Sequence, residues 1–266
     1  MASNSYSDCE RHYPKQSHPV PPYFANIPHS GDSWTTSSFD VTGPQPSRSN
    51  PFGNPPVPKN GTTYPPEWLH YLTTTYNHTF IRTYNIAKGA ATIDRAIVPP
   101  HPGFAFTQTL AEQALTFKNL YSAAPPVSPW EAANTLFAVW FGVVDIALLL
   151  ERDEYATDIN VRNAASYQAS LDELYRFGAR RFLLVNVPPM YLMPNAEHTD
   201  VSREAVPDFN ARLLDVQKEF LAQHEDAQVF LLDVNGLLEA IIKDPKVTPQ
   251  TAGIRNTTEN CWDYNP

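Results

Sequence analysis

The chain has 266 residues, enough for one α/β domain with a real core, and at 42% hydrophobic it falls among folded rather than disordered proteins. Its formal net charge is −9 and no Lys/Arg cluster interrupts it, which argues against nucleic acid and anionic membrane surfaces as partners. Two cysteines, Cys9 and Cys261, exclude a disulfide framework and a Cys-rich metal site; they allow one bridge between the termini or two free thiols.

Residues 1–26 read as an irregular arm rich in Pro and Ser, and 27–266 as the folded domain. The start is polar, without the apolar region of a signal peptide. Asn26 and Pro28 make a poor central strand ahead of Ser30 and Gly31, although a five-stranded parallel sheet is expected. Clustered prolines make 41–63 a loop. A helix is expected over 66–76, with Pro66 in its first turn and Trp68, Leu69 and Leu72 on one face. A short strand follows over 80–85. Leu110, Ala114, Phe117 and Leu120 give helical spacing to 106–121. The apolar run 135–141 has the composition of a strand covered on both faces. The longest apolar run, 136–150, contains Asp145 and is too short to span a bilayer. Asp145 itself is read as a helix N-cap ahead of Ile146, Ala147 and Leu148.

Glu151, Asp153 and Glu154 with Arg152 read as a solvated helix face. A long helix is expected over 160–177, then a buried strand over 181–187 stopped by Pro188 and Pro189. Asp208 opens the next helix, which ends near Gln223 with Phe209, Leu213, Val216 and Phe220 in step. The last strand is 228–233, followed by a short helix over 236–243. Strands alternating with helices imply right-handed βαβ units and a parallel sheet.

The stretch Ser30-Gly31-Asp32-Ser33-Trp34-Thr35-Thr36 carries the chemistry. Gly31 permits a tight backbone, Asp32 can accept local N–H groups, and Ser33 would open a helix whose first N–H groups suit a developing oxyanion. A Gly-Asp-Ser triplet alone reads equally as a Ser/Thr-rich surface turn. No His-Glu-x-x-His, Cys-x-x-Cys, Gly-x-Gly-x-x-Gly, Walker loop or Gly-x-Ser-x-Gly occurs.

The wider run Gly31-Asp32-Ser33-Trp34-Thr35-Thr36-Ser37-Ser38-Phe39-Asp40 resembles the first block of the GDSL/SGNH ester hydrolases. In detail it is similar to the fungal carbohydrate esterases of family 16, often described as acetylesterases. The similarity continues at Tyr84-Asn85-Ile86-Ala87-Lys88-Gly89-Ala90-Ala91-Thr92-Ile93-Asp94 and at Phe137-Ala138-Val139-Trp140-Phe141-Gly142-Val143-Val144-Asp145. It returns more loosely at Leu183-Leu184-Val185-Asn186-Val187-Pro188-Pro189. The resemblance implies a three-layer α/β/α sandwich on a parallel sheet, SGNH- or flavodoxin-like. It implies ester hydrolysis, deacetylation of carbohydrate in particular, through an acyl-enzyme on Ser33. The oxyanion would be held by the N–H groups of Ser33 and Gly89 and by an Asn side chain. Gly89 read by itself would simply permit a positive-φ turn. The implied partner is an acetylated carbohydrate or small ester, with no cofactor and no metal, and the implied location is extracellular.

Two departures stand out. Val144 occupies the place of the oxyanion-binding Asn in Gly-x-Asn-Asp. The family's C-terminal Asp-x-x-His is absent: no His follows His224, and Asp263 in Asn260-Cys261-Trp262-Asp263-Tyr264-Asn265-Pro266 has no His partner. The domain is therefore expected to lack its C-terminal end and to leave apolar surface open. His29 is the nearest substitute base in sequence. A catalytically inactive relative, acting as a binding or structural remnant, is the rival reading.

Overall fold

In the computed structural model, which describes residues 26–55, 67–126, 128–194 and 199–259, five strands pair in parallel. They are β1 (Asn26–Gly31), β2 (Arg82–Asn85), β3 (Phe137–Trp140), β4 (Arg181–Val185) and β5 (Gln228–Leu232), in the order β2-β1-β3-β4-β5. Between them run α1 (Trp68–Thr74), α2 (Leu110–Leu120), α3 (Val143–Glu151), α4 (Thr157–Arg176) and α5 (Thr199–Gln223), and α6 (Val234–Lys243) follows β5. The doubly wound α/β architecture expected from the alternation is present. The arm apart from Asn26, Pro66, both cysteines and Asp263 lie outside the described residues.

The stretch over Asn26 and Pro28 is a strand after all, and an internal one. Its ladder to β3 shows how Pro28 is tolerated. A bridge joins Asn26 to Thr135, and pairing with β3 resumes only at His29↔Ala138, so the missing N–H of Pro28 falls in the gap. Asn26 is fully buried, and its amide reaches Asn134 Oδ1 at 3.3 Å and Thr135 Oγ1 at 3.4 Å.

One sheet face is thickly covered. Leu110, Ala114 and Phe117 of α2, Tyr167, Leu171 and Leu174 of α4, and Phe209, Leu213 and Phe220 of α5 pack with Tyr84, Phe137, Val139, Phe182 and Leu184. Phe117 meets Phe137 edge-on at 4.9 Å. On the opposite face Trp68 and Leu72 cover Ile81, Leu136 and Ala138. That face is open at β5, where Phe230 is 48% and Leu232 44% exposed, and α6 buries none of its residues. Among the described residues no helix is long and apolar enough to cross a membrane.

Two helix starts differ from expectation. α5 begins at Thr199 and runs through Pro207, because Ala205 and Val206 are completely buried and packing outweighs the lost hydrogen bond. Asp208 is therefore inside the helix, paired with Arg212 at 2.9 Å and accepting Asn160 Nδ2 at 2.9 Å. α3 starts two residues ahead of Asp145, with Gly142 at the cap position and φ +113°. A Cβ at Gly142 would stand 2.6 Å from the Phe209 ring and 2.7 Å from Val187 Cγ2. Gly142→Ala combines backbone strain with overpacking, each about 1–3 kcal/mol. We expect a drop of roughly 3 kcal/mol or more in urea denaturation; a midpoint within error of the parent would contradict this packing.

Candidate active site

In a sheet ordered 2-1-3-4-5, the chain leaves β1 for one side and returns as β3 on the other, which opens a crevice at the carboxyl ends of these two strands. Ser33 sits there, half-buried, two residues past Gly31. Thr35 N–H and Thr36 N–H both donate to Asp32 O, at 3.2 and 3.0 Å, so Ser33 opens a single turn rather than a helix. Ser38 ends it with φ +59°.

This turn is stitched to the one carrying Gly89. Lys88 N–H donates to Gly31 O at 3.0 Å, Thr36 Oγ1 to Ala87 O at 2.9 Å, and Asn85 Nδ2 to Thr35 O at 2.6 Å and Ser37 Oγ at 2.9 Å. Thr107 Oγ1 donates to Gly89 O at 2.7 Å from the other side. The positive-φ residue here is Ala90, at +57°, and not Gly89. A Cβ on Gly89 would meet nothing within 4 Å, so its small size opens space beside the turn rather than relieving a clash.

The third loop joins through two buried acids. Asp32 is completely buried and its Oδ1 accepts the Trp34 N–H at 2.9 Å. Asp145, also completely buried, accepts the Ile93 N–H at 3.1 and 3.3 Å. It is thus a strut between α3 and the Gly89 loop rather than an N-cap. Burial raises Asp32 to about 7, with the charge of Glu67 adding to the rise; the N–H groups of Trp34 and Val144 oppose it, the latter without closing a hydrogen bond to Oδ2. Burial likewise raises Asp145 to about 7, against the Ile93 N–H and with the charge of Asp32.

Both shifts have the same sign for stability. Between an unfolded value near 3.8 and a folded value near 7, the folded protein keeps protons that the unfolded chain has lost. The stability they confer is complete below the unfolded value and falls as pH rises towards 7, by up to about 1.4 kcal/mol per pH unit for each proton. Asp145→Asn should flatten the decline in denaturation midpoint between pH 4.5 and 7; equal slopes in variant and parent would refute the assignment.

Val144 is half-buried and packs with Ile97, Tyr155 and Ile159 on Val98, Leu148 and Leu149. Its side chain offers no hydrogen-bond donor. His29 is on β1, completely buried, with its ring edge-on to Trp68 at 5.3 Å. Burial lowers it to about 3, which makes it a feeble proton acceptor at neutral pH and removes it as a substitute base. His70 stacks on Phe52, while His78 and His101 are exposed. His224 does hold a carboxylate, Asp172 at 2.9 Å, but next to the amino end of β5, the edge of the sheet opposite Ser33. The chain after Glu259, where the family resemblance places its Asp-x-x-His loop, lies outside the described residues.

One buried residue of the site escaped the sequence reading. Gln113 of α2 holds both polar groups of Gly31. Its only sequence signal was a polar residue beside the apolar stripe of an amphipathic helix.

The comparisons agree with this geometry. The family model for the GDSL-like Lipase/Acylhydrolase matches residues 27–265. An acetylesterase from Thermothelomyces thermophilus is 34% identical over 236 residues, spanning 88% of this chain and 73% of that protein. Axe2, an acetylxylan esterase from Geobacillus stearothermophilus, shares the fold with a TM-score of 0.52 at 12% identity, over 84% of this chain and 82% of that one. A variant of Axe2 gives 0.54 at 11% identity, over 88% and 89%. With the Gly31-Asp32-Ser33 turn at the switch point of the sheet and a family match along nearly the whole described chain, this protein belongs to the GDSL-like lipase/acylhydrolase family.

Proposed function

We propose that the chain is an ester hydrolase that removes O-acetyl groups from carbohydrate through an acyl-enzyme on Ser33. The observation that carries this reading is the stitched pair of turns at the switch point, with Ser33 on one and the open space beside Gly89 on the other. A hydroxyl attacking an ester carbonyl needs donors aimed at the oxygen that becomes negative. The main-chain N–H groups of Ser33 and Gly89 are assigned that role. The name of the 34% identical relative supports an acetyl ester, and the acetylxylan esterase of the same fold is consistent with a carbohydrate carrier. The extracellular location implied by the family follows as part of the same proposal.

His29 is completely buried beneath Trp68 and His224 lies near the amino end of β5, so neither is assigned as the proton acceptor for Ser33. The test is acetate release from acetylated xylo-oligosaccharides and from p-nitrophenyl acetate, each with the parent chain and with Ser33→Ala. Release that depends on Ser33 from both substrates supports the reading. Turnover of the small ester alone would remove the carbohydrate, and release that ignores Ser33 would remove the mechanism.

A further inference from the structure

Gln113 is completely buried, and every polar position of its side chain is committed. Gly31 N–H donates to its Oε1 at 3.0 Å, while its Nε2 donates to Gly31 O at 3.0 Å and to Gln108 O at 2.9 Å. The need for this clamp follows from strand lengths. The paired register of β1 with β2 ends at His29↔Asn85, two residues short of Gly31. Beyond that point Lys88 N–H still reaches Gly31 O, but the Gly31 N–H has no strand to donate to. Gln113 supplies the missing acceptor and a second donor, and so stands in for a strand edge.

The peptide it holds has little room. A Cβ at Gly31 would lie 3.0 Å from Thr35 and 3.1 Å from Trp140 O. Any rotation of this peptide is therefore passed along the turn to Asp32 and Ser33. We infer that Gln113 is a positioning residue of the reaction: it sets the Gly31 peptide, and through it the aim of the Ser33 hydroxyl and N–H. The inference rests on the reading of Ser33 as nucleophile. Misplacement of a reacting group by about 1 Å can cost on the order of 10² in rate.

Two substitutions separate aim from mere support. Gln113→Met keeps the length and removes the hydrogen bonds, leaving the Gly31 N–H orphaned. Gln113→Glu keeps the shape. When protonated, its carboxyl can accept from Gly31 N–H and donate to one carbonyl; when ionised, it faces the oxygens of Gly31 and Gln108 and repels both. The readout is the rate of fluorophosphonate labelling at Ser33, relative to the parent at each pH, in samples shown to be folded by circular dichroism. We expect Gln113→Met to label about 10²-fold more slowly at every pH. Gln113→Glu should come within several-fold of the parent at acidic pH and fall away as the new carboxyl ionises. Should Gln113→Met fail to fold, the pH profile of Gln113→Glu decides alone, because a packing role gives no reason for reactivity in folded protein to follow a titration. Parent-like labelling of folded Gln113→Glu across the whole pH range would overturn the inference while leaving the Ser33 reading intact. A parent chain that does not label at Ser33 at all would overturn both.

Discussion

Where Ser33 has a working proton acceptor, replacing it with alanine should remove at least about 10⁴-fold of ester turnover. The nucleophile is the one group that the remaining site cannot replace: the N–H groups of Ser33 and Gly89 can steady an oxyanion but form no bond to the acyl carbon. Ser33 is half-buried in a turn held by Asp32 O, Lys88 N–H, Thr36 Oγ1 and Asn85 Nδ2, none of which depends on the hydroxyl. The variant should therefore keep the turn and remain folded, as circular dichroism will show. The measurement is p-nitrophenyl acetate hydrolysis by parent and variant, with fluorophosphonate labelling as the covalent readout. Labelling that survives in Ser33→Ala would move the nucleophile elsewhere.

Val144→Asn should act in the opposite direction, raising kcat by about 10²–10³ where Ser33 has a working proton acceptor. The main-chain N–H of Val144 already favours the charged form of Asp32, which sets the start of α3 against the nucleophile turn. An Asn at this position would add a side-chain donor of the kind that the family pattern Gly-x-Asn-Asp implies. The gain is confined to a site whose other parts function, because groups acting as a unit are not additive. A small stability loss is expected, since Val144 leaves a cluster with Ile97, Tyr155 and Ile159. Unchanged kcat in a folded variant whose Ser33 labels readily would deny position 144 any part in oxyanion binding.

The layers of this protein were legible because their patterns are periodic. Leu110, Ala114 and Phe117 announce the buried stripe of α2, and the apolar run around Phe137 announces a strand covered twice. What escaped was decided at a distance. Nothing local says that the gap at Pro28 in the β1–β3 ladder can be accommodated, or that burial of Ala205 and Val206 will carry a helix through Pro207. In the site, the Ser33 and Gly89 turns were found as motifs and are adjacent in space. Asp145 was misread as a cap because its partner, the Ile93 N–H, comes from another loop. The burial of His29 was hidden for a related reason: its place under Trp68 depends on how α1 packs.

The pairings of β1 also bear on how this protein acquires its site. The bonds that tie the nucleophile turn and its strand to the rest of the fold are remote in sequence: Thr35 to Asn85 spans 50 positions, Gly31 to Gln113 spans 82, and Asn26 to Thr135 spans 109. Contacts so distant close late in folding, because the chain entropy of each long loop must be overcome before any of them helps the next. A collapsed but incompletely paired chain would therefore carry helices yet hold Ser33 in no defined direction. Covalent reactivity at Ser33 then reports on the finished topology, and it should be the last property to appear on refolding and the first to vanish on unfolding.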